Sequence, residues 1–65
     1  MTKADINRVA RAAEHIKAAM VILDNIKDEH IEGKNRIQYN EIYNDLKFQR
    51  YRLDRWANEL TEKYT

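Results

Sequence analysis

His30-Ile31-Glu32-Gly33-Lys34-Asn35-Arg36-Ile37-Gln38 (HIEGKNRIQ, residues 30–38) holds the single glycine of a 65-residue chain that has no proline. Glycine and proline are the strongest breaks in a helical pattern, so the chain is punctuated in one place. Gly33 follows Ile31-Glu32 and suits the left-handed residue that closes a helix. Asn35, with Gln38 three residues on, is a helix-start signal. Thr2 with Asp5 is another of the same form at the amino end. The expected plan is therefore all-α: a first helix over about 3–32, a turn at 33–35 and a second helix over about 36–63. Each helix would be roughly 40–45 Å long at 1.5 Å per residue.

Apolar residues recur at seven-residue spacing on both sides of the turn. Ile6, Val9, Ala13, Ile16, Met20 and Leu23 form one stripe; Tyr39, Ile42, Leu46, Gln49, Leu53, Trp56 and Leu60 form the other. Both read as coiled-coil-type seams. Folded back on each other, they place Ile16 opposite Leu53, Leu23 opposite Leu46 and Val9 opposite Leu60. Ala13 then faces Trp56, small against large, and His30 meets Tyr39 at the turn. Met20 faces Gln49, the one amide in the middle of the second seam.

The expected fold is thus a single-domain, two-helix antiparallel hairpin. It leaves Ala12, Ala19, Ile22 and Ile26 uncovered beside the first seam, and Tyr43 and Ala57 beside the second. A hairpin of this size with those side chains in water is marginal. A symmetric partner is the simplest remedy, so the chain is expected to self-associate into a four-helix-bundle-type homo-oligomer, a dimer first of all.

Composition narrows the chemistry. There is no Cys and no Ser. Disulfides and thiolate–metal sites are excluded, and a reducing, cytoplasmic setting is expected. No Gly-rich phosphate loop exists. The residues three before His15 and His30 are Ala12 and Lys27, so the Glu-x-x-His motif of di-metal bundles is missing. Asp28-Glu29-His30-Ile31-Glu32 reads as a solvated helix end. No enzyme activity, cofactor or metal is expected. The longest apolar run, Ala18 to Leu23, is too short for a bilayer, and charges through the first twenty residues rule out a signal-peptide core.

The remaining signal is LKFQRYRLDRW, residues 46–56, where cations alternate with aromatics. Net charge is only +1, with 7 basic against 5 acidic residues over 34–65. Helical period separates this stretch into faces. Leu46, Gln49, Leu53 and Trp56 point into the hairpin. Phe48, Tyr51 and Arg55 form an outer stripe bordered by Asn44, Lys47 and Arg52. An outward Phe beside an outward Tyr and arginines is the composition of an interface centre. The expected partner-binding residues are Asn44, Lys47, Phe48, Tyr51, Arg52 and Arg55, contacting or inhibiting a protein. The alternative is RNA or DNA held by Lys47, Arg50, Arg52 and Arg55, or a nucleotide between protomers. Asp45, Asp54 and Glu59 dilute that positive strip.

In size, single turn and heptad layers, this plan resembles the Rop family of plasmid RNA-binding proteins, which dimerise from helical hairpins of similar length. The resemblance implies RNA binding as a second reading and carries no individual residue across.

Overall fold

The computed structural model describes residues 1–64. Two helices pack against each other: α1, Lys3–Asp24, and α2, Lys34–Tyr64, with a short 3₁₀ turn at Asp28–His30 between them. Among the described residues there is no strand. The molecule is a rod of 47 × 15 × 12 Å.

α1 begins as expected. The Thr2 hydroxyl accepts from the Asp5 N–H, and the Thr2 N–H donates to the Asp5 carboxylate, each at 3.2 Å. That backbone donor, then the Thr2 hydroxyl, holds the Asp5 carboxyl below its ordinary value; Arg8 at 2.9 Å adds to it.

α1 ends eight residues before the expected boundary. It stops at Asp24-Asn25, two residues of weak helix propensity. The Asn25 and Ile26 N–H groups tighten onto the Ile22 and Leu23 carbonyls at 3.2 and 3.1 Å. The chain then runs extended at Lys27, turns through Asp28–His30 and tucks Ile31 inward at 6% exposure. Ile31 gains its burial from that early stop. The Arg36 guanidinium clamps the connection by donating to the Asp28 carbonyl at 3.1 Å and to its carboxylate at 3.4 Å.

Gly33 does have the expected left-handed backbone, φ +56°. Its position differs from the expectation: it opens α2 and does not close α1. Its carbonyl accepts from Arg36 and Ile37 at 3.1 and 3.4 Å. α2 therefore starts at Lys34, and Asn35 lies inside its first turn.

Tyrosines secure the carboxyl end of α1. The Tyr39 hydroxyl donates to the Leu23 carbonyl at 3.4 Å, satisfying an acceptor in α1's last turn. The Tyr43 hydroxyl donates to the Asp24 carboxylate at 3.3 Å, and the two rings stack at 5.7 Å. The bond to Asp24, then burial, pushes the Tyr43 phenol up.

The seam of α1 is the expected one, with Ile6, Val9, Ala13 and Met20 buried. The seam of α2 is rotated from the expected one. Arg36, Tyr39, Tyr43, Leu46, Arg50, Leu53, Ala57 and Leu60 are the buried or half-buried positions. Ile42, Gln49 and Trp56 are exposed. Tyr39, Leu46, Leu53 and Leu60 are common to both readings; the residue between each pair falls four places on, not three. Ala57 packs with Ile6, Val9 and Leu60, a layer with no room for an indole, and Trp56 lies one position round on the flank. Small Ala57 sits against Ile6 and Val9, and Ala13, 1% exposed, is the most deeply buried residue described.

Candidate functional site: an aromatic-basic concavity on α2

The heptad that turns Leu53, Ala57 and Leu60 toward α1 turns the residues between them outward. Phe48, Tyr51, Arg52, Arg55, Trp56 and Glu59 line one open concavity of about 400 Å³. Phe48 and Tyr51 are 59% and 63% exposed. They sit three residues apart and so share the outer face. The Arg52 guanidinium lies over the Phe48 ring, 5.8 Å from its centroid. Arg55 is held by Glu59 at 3.3 Å across one helical turn.

The structure brings four of the six expected partner-binding residues together here: Phe48, Tyr51, Arg52 and Arg55. Lys47 is exposed and lies with Tyr51 over a separate shallow surface that includes Arg50 and Asp54. Asn44 is exposed and lines neither.

Trp56 and Glu59 are the additions. Trp56 does not face Ala13 in the core; at 44% exposure it forms a wall of the concavity. The signal lies in the pair Trp56-Ala57: against Ile6 and Val9, a small residue lets the helices approach more closely than an indole.

The nucleic-acid set fares less evenly. Arg50 is half-buried at the seam and pairs with Asp54 at 3.7 Å. Arg55 is paired with Glu59, and Arg52 is stacked on Phe48. Lys47 alone of the four stands in water with no ion pair or ring contact.

Elsewhere, each of the two histidines has a near neighbour. His15 bonds the Arg11 carbonyl at 2.8 Å, and His30 lies 3.8 Å from Glu29. Among the described residues, no three His, Cys, Asp or Glu side chains converge for a metal ion. No described helix is long and apolar enough to cross a membrane. A second, more apolar cleft of about 290 Å³ lies at the turn, among Leu23, Ile26, His30, Ile31, Gln38, Tyr39 and Ile42.

Comparisons with protein-family models, curated proteins and solved structures find no match to this chain.

Proposed function

We propose that this chain is a small, non-enzymatic binding protein that self-associates and contacts or inhibits a protein partner through the outer face of α2. The observation that carries the reading is the concavity itself. Phe48, Tyr51 and two guanidinium groups line it along the outer face of α2, with Trp56 at the edge it shares with the neighbouring flank. Tyr, Trp and Arg dominate the energetic centres of protein interfaces, where aromatic bodies supply area at small entropic cost. Arg52 lies over the Phe48 ring, so a guanidinium and an aromatic surface are presented together.

RNA or DNA binding is the second reading. It draws its affinity from phosphate neutralisation, and each unpaired cation adds to that. Of the four candidate cations, Arg50 lies at the seam paired with Asp54 and Arg55 is paired with Glu59, so the protein reading is favoured.

The test is the double variant Phe48→Ala, Tyr51→Ala. Both side chains are exposed, so far-UV circular dichroism and Tm stay near wild type. Affinity for a partner first isolated on the tagged wild-type chain, then purified, falls by at least about tenfold, since each interface anchor is worth about 1–2 kcal/mol or more. Unchanged affinity, or unfolding of the variant, refutes the proposal. Binding that drops steeply with added salt and is released by nuclease refutes it in favour of nucleic acid.

A further inference from the structure

One flank of the hairpin carries an apolar row on each helix, edged on α2 by Gln38, Asp45 and Arg52. At ~100° per residue, Ala12, Ile16, Ala19 and Leu23 of α1 lie on the same side as Ile42, Gln49, Leu53 and Trp56 of α2. Leu23 and Ile42 jointly lining the turn cleft agree with that phase. The opposite flank is polar: Tyr43 reaches Asp24 there, and Arg50 pairs with Asp54.

The molecule also exposes too much surface for its mass. A folded monomer of 7.8 kDa is expected to expose about 4,400 Å², whereas this chain exposes 5430 Å². The excess, about 1,000 Å², slightly exceeds the roughly 800 Å² that each partner buries in a stable interface.

We infer that a second copy of this chain covers the apolar flank, related by a two-fold axis that crosses the helices at Gln49, and that Trp56 of each copy seats in the turn cleft of the other. The inference rests on the self-association proposed above and specifies its face and its geometry. Gln49 is the midpoint of α2, Lys34–Tyr64. An axis through it, perpendicular to the helices, brings the two Gln49 side chains together. A carboxamide carries both donor and acceptor, so two of them bond reciprocally.

The same axis fixes the other pairs. Ile42 and Trp56 are each seven residues from Gln49, so Ile42 of one copy meets Trp56 of its partner. Ile42 is a wall of the turn cleft, and its volume of about 290 Å³ accommodates an indole. On α1 the matching level follows from the core, where Ile6 and Val9 pack with Leu60 and Ala57. That register puts Gln49 level with residue 17. The axis then pairs Ile16 with Ala19 and Ala12 with Leu23, large against small in both cases, as interdigitated layers require. One axis therefore satisfies both helices to within about half a residue, or less than 1 Å along the helix.

The chain has no native Cys, so single cysteines are clean probes. Gln49→Cys, treated with a short bis-maleimide, is expected to cross-link into a dimer. Phe48→Cys and His15→Cys, both off this flank, are expected to remain uncoupled. Ile42→Cys mixed with Trp56→Cys is expected to couple between chains, more than either variant alone. All five substituted positions are exposed, and circular dichroism checks that each variant folds. Sedimentation equilibrium of the wild type separates the two levels of the claim. A monomer overturns self-association and this face together. A dimer in which Phe48→Cys couples and Gln49→Cys does not overturns this face and leaves self-association standing.

Discussion

Substituting Ala57 by leucine tests the rotation of α2 directly. Ala57 is 8% exposed and packed among Ile6, Val9 and Leu60. A leucine adds three carbons to a layer that has no space for them. Overpacking of this kind costs about 1–3 kcal/mol. Two helices can spread more easily than a closed core, so the lower part of that range, about 1–2 kcal/mol, is expected here. For a domain of this size that lowers Tm by about 4–16 °C. Helix propensity works in the same direction but adds only a few tenths of a kcal/mol. Were Trp56 the seam residue, position 57 would face water and the same change would fall within about 0.5 kcal/mol of zero. The assay is urea unfolding followed by far-UV circular dichroism at one fixed protein concentration, because the proposed association would make the midpoint concentration-dependent. A neutral or stabilising Ala57→Leu refutes the packing described for α2.

At Gly33, an added Cβ meets nothing within 4 Å, so Gly33→Ala tests backbone strain alone. A left-handed alanine costs about 1–2 kcal/mol, partly offset by a less flexible unfolded chain, and a net loss of about 1 kcal/mol is expected in the same urea assay. Gly33→Asn loses less. Stability against pH falls at both ends of the scale. The Asp5 carboxyl is lowered, so its contribution is complete above about pH 4 and is lost as pH falls through the folded value. The Tyr43 phenol is raised, so its contribution is complete below about pH 10 and is lost as pH rises through the folded value. Tyr43→Phe removes the alkaline loss, and Asp5→Asn removes part of the acid one, in pH-resolved thermal melts.

The helical hairpin was legible because its signals are periodic and redundant. Six α1 positions at heptad spacing, a capping box at Thr2 and Asp5, and one glycine all point to the same topology. The end of α1 was not legible. Ile26 prolongs the apolar pattern past Asn25, and the advantage of stopping lies in burying Ile31 against α2, a tertiary gain that local sequence does not display. The phase of α2 was half legible. A heptad accepts the intermediate residue three or four places on, and Ile42, Gln49 and Trp56 are a more hydrophobic row than Tyr43, Arg50 and Ala57, so the pattern favours the wrong phase. The small side chain of Ala57 against Ile6 and Val9, and the Tyr43 bond to Asp24, belong to the observed one. That single step moved Trp56 from the core to the wall of the concavity. It also freed Gln49 to lie at the centre of an uncovered face. Phe48, Tyr51, Arg52 and Arg55 were legible as a surface group because they lie outside either seam.

The central claim is that two faces of one hairpin do two jobs, the apolar flank holding a second copy and the outer face of α2 holding a protein. Native mass spectrometry of the chain isolated gently at low salt, beside its Phe48→Ala, Tyr51→Ala variant, reads both at once. The prediction is twice the 7.8 kDa chain mass in each sample, with a protein-sized addition on the wild type that the variant lacks. A monomer, a nucleotide- or RNA-sized addition, or a protein retained equally by the variant contradicts it.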